Sequence, residues 1–362
     1  MLQKRLLSLD LLRGLIMILL ALEAAGLYHI LNDAAEGSWW HHITIQFRHH
    51  KWNGLRFWDL IQPGFMFIAG TAMAYSLNKQ LQNGVPWAQS FRKALKRSGW
   101  LFFWGVLNYA VKKDGLSFEL WNVLTQLSFT LLVAFLIFRL SIKTQTLICV
   151  GILLLTEALY RFTNIPGFDQ PFTDQHNFGN YVDLLLMNKI NGGGWVAINC
   201  IPTAVHTIAG ALAGKLMLSA STQKVKQLLI WGAVCLAVGF GLDWLHITPI
   251  IKRIATSSFT LASLGWCLLA LAACYWWIDI RSHRKYLLLF TVIGMNSIFI
   301  YLFFEIVGKR WFNEYAGAIT NGLMSMAHFP QLLMDIITCF TIFALEWGLC
   351  YFLYKKKIFF KL

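Results

Sequence analysis

Four histidines crowd into one stretch, WWHHITIQFRHHKWNGLRFWDLIQPGFMFIAG at residues 39–70: His41, His42, His49 and His50. Imidazole ordinarily titrates near neutrality, so it can take and return a proton at working pH. Asp59 stands ten residues after His49, where the stretch turns apolar. A carboxylate there can accept from one ring nitrogen, fix the tautomer and leave the other nitrogen as a base. The same residues suit plainer work, Asp59 as a helix cap and the histidines as interface residues. The doubled histidines also suggest metal, but no third and fourth ligand stands at a usable spacing, so no metal is expected.

Other polar groups interrupt apolar runs. Asp10 and Arg13 lie three apart in SLDLLRG. On a helix they can neutralise each other, or together hold an anionic headgroup or phosphate. Glu23 lies about 20 Å farther along at 1.5 Å per residue. A carboxyl inside a span is costly and ordinarily faces a cavity, so it lines a substrate path or sits protonated in a network. His206 precedes Gly210-Ala-Leu-Ala-Gly214-Lys215, whose small-residue spacing lets helices approach closely. Asn296, Ser297, Tyr301, Glu305 and Glu346 fall in later apolar runs, as interhelical bonds or as contacts to a polar ligand. Pro63 and Gly64 read as a bend that opens space beside the histidine loop, or as a packing device.

The elements that must position these groups are membrane helices. Of 362 residues, 57% are hydrophobic and 13% charged, with a mean hydropathy of +0.56. Soluble chains carry about 25% charge. Apolar blocks recur at the length that crosses a bilayer core. Spans are expected over 11–31, 59–77, 99–111 (starting nearer 91 if the helix is longer), 122–138, 145–160, 201–218, 228–242, 259–278, 286–307 and 332–354. The expected fold is an all-α polytopic bundle of ten transmembrane helices in one domain, 1–362. Residues 316–328 are apolar but short, a re-entrant piece or an extension of the last helix; as a span they would make eleven. The first run lacks a small-residue cleavage site and is expected to be a retained helix.

With this threading nineteen Lys and Arg fall on one side and eleven on the other, Arg13 lying inside the first helix. Cations favour the cytoplasmic side, so both termini are expected there. The formal charge of +14 thus reads as topology and lipid-headgroup contact, not nucleic-acid binding. Two long outer loops, 32–58 and 161–200, are rich in His, Trp, Asn and Gly, the kind of segment that carries binding or chemistry. The seven cysteines show no metal or disulfide spacing.

Together these blocks resemble the heparan-alpha-glucosaminide N-acetyltransferase family and its bacterial relatives, within a wider group of transmembrane acyltransferases. RLLSLDLLRGLIMILLAL is similar to the family's first helix through Ser8, Asp10, Arg13 and Gly14. FRHHKWNGLRFWDLIQPGFMFIAG is similar to its histidine block. His49 takes the place of the family's catalytic histidine, and Asp59, Pro63 and Phe65 match its Asp-x-x-x-Pro-x-Phe. GNYVDLLLMNKI resembles a Gly-Tyr-x-Asp segment and places Asp183. IPTAVHTIAGALAG, KRIATSSFTLASLG and GMNSIFIYLFFEIV resemble later helices and place Ser257 and Asn296. The sequence departs at Asn191-Gly-Gly-Gly-Trp195, where the family has Asp-Pro-Glu-Gly. It departs again at Gln62, for Phe, and at Gln126-Leu127, for Gln-Arg. These changes bear on the acceptor.

The resemblance implies a multi-pass protein of a bacterial inner (cytoplasmic) membrane. It would move an acetyl group from cytoplasmic acetyl-CoA to an extracytoplasmic amino sugar or glycan. His49 would be the base, Asp59 would orient it, and Asn53 or Asn296 would hold the oxyanion. Asp10, Arg13, Arg92, Lys93, Lys96, Arg97 and Lys215 would meet the CoA phosphates. His50, Trp52, Asp183 and Glu23 would face the acceptor. A homodimer is compatible with such a bundle. On the residues alone a secondary transporter of a sugar or related solute stays open, since Glu23, His206, Asn296 and a helix broken near Pro63 would suit one; no inverted repeat is visible. A non-catalytic component that binds lipid or glycan also stays open.

Overall fold

The computed structural model describes residues 6–112 and 115–360. Lys4, Arg5, Lys113 and Lys361, which enter the charge comparison, lie outside the described residues. The chain is helical almost throughout. Its helices are α1 (Leu7–Ala24), α2 (Leu27–Ala34), α3 (His41–Thr44), α4 (Ile61–Gln82), α5 (Trp87–Ala110), α6 (Val123–Ile137), α7 (Ile142–Phe162) and α8 (Phe178–Met187). They continue with α9 (Cys200–Leu218), α10 (Lys224–Trp244), α11 (Ser257–Cys274), α12 (Leu287–Met295), α13 (Ser297–Leu302), α14 (Asn313–Ser325) and α15 (Gln331–Lys355). A short antiparallel hairpin pairs β1 (Val111–Lys112) with β2 (Gly115–Leu116) beyond the end of α5.

Among the described residues six helices are long and apolar enough to cross a membrane, and eight spans result if each of two bent pairs counts as one. The ten expected from the sequence also include α5, which carries Arg92, Lys93, Lys96 and Arg97, and α6, with only 15 residues. Burial sorts the bundle: 67% of the apolar window of α9 is inside the protein against 17% for α10. Helix α9 is therefore central, whereas α10 faces outward with Leu229, Trp231, Val234 and Val238 exposed.

The central contact is between α4 and α9. Thr71 Oγ1 donates to the Gly210 carbonyl at 2.9 Å, and a Cβ on Gly210 would lie 2.0 Å from the Phe67 carbonyl oxygen. The small-residue spacing of α9 thus brings two backbones into direct contact, as expected of GxxxG. Phe67, Ala74, Ile208 and Ala211 are buried in this seam.

Three predicted helices differ in the structure. The span expected over 11–31 breaks at Gly26, whose φ of +92° turns α2 by 66° from α1. The carbonyls freed there are satisfied by Asn313 Nδ2 on Ala24 O (2.9 Å) and Cys339 Sγ on Ala25 O (3.1 Å), as a break in a membrane helix requires. The span expected over 286–307 breaks at Asn296, where the following segment bends by 73°. That segment runs from α13 through a π-helical stretch, Phe303–Phe312, into α14. The apolar 316–328 piece is thus mostly the end of this helix, neither a separate span nor an extension of α15. Third, a 3-10 turn, Phe57–Leu60, precedes α4 and places Pro63 in the first α-turn, where its missing N–H leaves no gap. No bend at Pro63 is needed.

Gly210→Ala should lower the thermal unfolding temperature in detergent, with an overpacking cost of about 1–3 kcal/mol. An unchanged melting curve would mean the α4–α9 seam accepts a methyl group.

Candidate functional site

The site is built at the end of the bundle where α4 begins. The 3-10 turn lifts Asp59 into a pocket of donors and leaves it only 1% exposed. Its Oδ2 accepts the backbone N–H of His50 (3.2 Å) and of Arg56 (3.0 Å). Its Oδ1 lies 2.9 Å from His49 Nδ1. A carboxylate only accepts, so the proton in that bond belongs to Nδ1 and the lone pair of the neutral ring is on Nε2. Arg56 Nη1 donates to the His49 carbonyl at 3.0 Å and fixes the backbone beside the ring. The His49 side chain is 40% exposed and lines a cavity of about 390 Å³. Burial and nearby Lys252 hold His49 below the ordinary imidazole value, and together they outweigh the upward pull of Asp59. The ring is therefore neutral near pH 7, with Nδ1 locked and Nε2 left as its basic nitrogen.

Two further segments close over this pair. The loop between α10 and α11 pairs backbone with the histidine loop, as Gly54 N donates to Ile250 O at 2.8 Å and Asn53 bridges Ile251. It places Lys252 Nζ 3.1 Å from His49 Nδ1 and 3.6 Å from Asp59 Oδ1. Burial pushes Lys252 down to about 8, with Asp59 opposing the shift. The loop after α8 brings the Trp195 ring edge-on to His49, with centroids 5.6 Å apart, and beneath Lys252 at 5.5 Å. Gly194, at φ +75°, makes this possible: a Cβ there would strike the Trp52 ring at 2.7 Å and Asp174 Oδ1 at 2.5 Å.

The rest of the cavity wall is aromatic and polar, with Trp58, Trp121, Tyr109, Tyr301, Glu119 and Glu305. Glu119 is paired with Lys189 at 3.1 Å and Glu305 with Lys309 at 2.8 Å. Gln62 lines the same wall and donates to Gln126 Oε1. One departure noted in the sequence, Gln62, is thus bonded to the residue just before another, Leu127. A third departure, 191–195, supplies Asn191 and Trp195 to the wall.

Not every residue expected at the site is there. Asn296 is not on the cavity wall: its Nδ2 donates to Ile358 O (3.1 Å) and its Oδ1 accepts from Phe360 N (3.0 Å), so its amide is engaged elsewhere. Asn53 is exposed and contributes backbone pairing, and its side chain is not on the cavity wall. Trp52 packs against Val196 and Ile251 and donates to Phe172 O at 2.7 Å, which ties the two long loops together. Asp183 is fully buried, accepting from Trp121 Nε1 and Ala197 N, both at 2.8 Å; it holds the wall without touching the cavity. Burial raises Asp183 to about 7. Glu23 is not on the cavity wall; it lies 3.6 Å from Lys309, the lysine that also pairs with Glu305. His50 gives its backbone N–H to Asp59, and its ring packs over Gly54.

At the opposite end, Arg13 lies 3.8 Å from Asp10, with Arg97 close to Arg13. Arg92, Lys93 and Lys96 are exposed on α5. Lys215 donates to Phe138 O at the end of α6, beside a cavity of about 270 Å³. Among the described residues no cluster of His, Cys, Asp and Glu has metal-binding geometry.

Sequence reasoning missed Lys252, Trp195, Asn191 and Glu119 as wall residues. Lys252 looked like one more loop cation. Its position between two wholly apolar neighbours, Ile251 and the Ile254-Ala255 pair beyond Arg253, was the available signal.

A neutral imidazole on a buried carboxylate, open to a cavity in a helical membrane bundle, defines a multi-pass membrane protein equipped for proton transfer. The catalytic-region profile of heparan-alpha-glucosaminide N-acetyltransferase matches residues 5–228, and the chain belongs to that family. The mouse (Mus musculus) protein named heparan-alpha-glucosaminide N-acetyltransferase is 32% identical over 103 residues. That alignment takes in 28% of this chain and 14% of the mouse protein's length. The family match covers His49, Asp59 and Asp183 but stops short of Lys252, Tyr301 and Glu305.

Asp183→Ala would leave the Trp121 indole N–H and the Ala197 N–H buried without an acceptor. It should cost roughly 1–3 kcal/mol for each orphaned donor, read as a lowered melting temperature. A melting temperature equal to that of the parent would contradict the structural role given to Asp183.

Proposed function

We propose that this protein is a membrane acyltransferase. It moves an acetyl group from acetyl-CoA, bound at the cytoplasmic face of a bacterial inner membrane, to an amino sugar or glycan on the outer face. The observation that carries this reading is His49 on the cavity wall with its Nδ1 held by Asp59, which leaves the lone pair on Nε2 as the ring's base. Family membership supports the class of reaction.

His49 Nε2 takes the proton of the acceptor amine or hydroxyl as its heteroatom attacks the thioester carbonyl. Asp59 stabilises the imidazolium through Nδ1–H. The carbon–sulfur bond breaks, and Nε2–H returns the proton to the departing thiolate. The acceptor ring lies against Trp58, Trp121 and Trp195, with Glu119, Glu305 and Asn191 for its hydroxyl or ammonium groups. These residues take the places that His50, Trp52, Asp183 and Glu23 hold in the resemblance. The donor enters from the other end. Arg97 is twelve residues before Tyr109 on α5, about 18 Å along the axis, a span that an extended pantetheine arm can cross. Arg92, Lys93, Lys96 and Arg97, with Arg13 and Lys215 nearby, meet the phosphates.

His49→Ala should lower transfer by roughly 10²–10⁴-fold while saturable acetyl-CoA binding survives. Full turnover in that variant would remove His49 from the mechanism. Neutralising Lys96 or Arg97 should weaken acetyl-CoA binding to purified protein. If the parent protein neither binds acetyl-CoA nor releases CoA with amino-sugar or glycan acceptors, the acyltransferase reading fails.

A further inference from the structure

A lysine only 7% exposed, with a buried carboxylate as neighbour, is an expensive arrangement, and Lys252 is held in it with care. Its loop is clamped on both sides. Gly54 N bonds Ile250 O, Thr256 Oγ1 accepts from Ile251 N at 3.0 Å, and Ala255 N bonds Lys252 O at 3.0 Å. Ile250, Ile251, Ile254 and Ala255 are all buried, so the backbone under Lys252 has little freedom. The ammonium is thereby fixed on the Nδ1 side of His49, between the ring, Asp59 and the face of Trp195. It cannot donate to Nδ1, because that nitrogen already carries the proton bonded to Asp59. Its effect on the ring is therefore that of a neighbouring positive charge.

We propose that Lys252 is a positioning residue for the acyl transfer inferred above: it cancels the charge of Asp59, keeps His49 unprotonated between turnovers and makes the transient imidazolium a stronger acid toward the departing thiolate. With His49 neutral the trio carries no net charge. When Nε2 takes the acceptor's proton, the trio becomes a buried cation, and the nearby ammonium urges that proton onward. The proton balance is that of the transfer itself, with one proton taken from the acceptor and one given to sulfur.

The groups facing His49 are few. Asp59 comes from the turn before α4, Lys252 and Arg253 from the clamped loop, and Arg56 and His50 from its own loop. Trp195 brings no charge, and Glu119 and Glu305 share the cavity wall, Glu119 paired with Lys189 and Glu305 with Lys309, which Glu23 also approaches. Of these cations, Lys252 reaches the ring nitrogen itself, at 3.1 Å.

The test reads His49 directly. Diethyl pyrocarbonate acylates only unprotonated imidazole, and the modified peptide can be quantified by mass spectrometry across pH in the full chain in detergent. Lys252→Gln and Lys252→Met should each move the midpoint for His49 upward by about one unit or more, because a cation that disfavoured protonation is gone. Lys252→Arg should restore the parent midpoint within a few tenths. Asp59→Asn should move it the other way, since Lys252 then acts unopposed. Midpoints unchanged in both neutral Lys252 variants overturn the proposal, as does an upward shift in Asp59→Asn. The reagent reports on His49 whether or not turnover is found. An unshifted midpoint in an active enzyme therefore sinks the Lys252 role alone, and absent transfer with a shifted midpoint sinks the reaction alone.

Discussion

A carboxylate taken out of water must be surrounded by donors or lose its charge. Asp59 finds them in separate parts of the chain: the ring of His49, the backbone of His50 and Arg56, and the ammonium of Lys252. Each of those donors is useful only if its own segment is held still. The histidine loop is therefore paired with the loop after α10, and that loop rests on buried Ile250, Ile251 and Ile254. The wall opposite is held by a second buried carboxylate, Asp183, through Trp121 and Ala197. The end of the bundle that carries the site is in this sense organised around two buried acids, one beside the cavity and one behind its wall.

The seam between α4 and α9 gives this arrangement its base. Asp59 sits on the turn that leads into α4, and Asn199, just before α9, donates to the carbonyl of Arg253 at 3.2 Å. The two innermost helices thus each touch the loops that carry the site.

Much of this was legible in the sequence, and the limits have physical causes. The pairing of His49 with Asp59 could be read because both lie in one short stretch with a helix start between them and the bundle. The close approach at Gly210 could be read because small residues at that spacing leave few other options. Helix breaks at Gly26 and Asn296 were not legible, since a continuous apolar run looks the same whether or not the axis turns. Asn296 looked like a polar group aimed into a site, but only the fold reveals that residues 358–360 return to claim its amide. Trp52 and Asp183, expected to face the acceptor, instead tie loops together, because their partners, Phe172 and Ala197, are distant or unremarkable in sequence. Lys252 was hidden for the same reason, 203 positions from His49. The Gln62 and Leu127 departures looked independent until the fold bonded Gln62 to Gln126, the neighbour of Leu127.

The backbone contact at Gly210 has a mechanical consequence. Helices separated by bulky side chains can slide, because rotamers yield; helices touching carbonyl to glycine have nothing between them that can give. The α4–α9 seam is accordingly a stiff spine: the turn that lifts Asp59 at the head of α4 moves only as α9 moves with it.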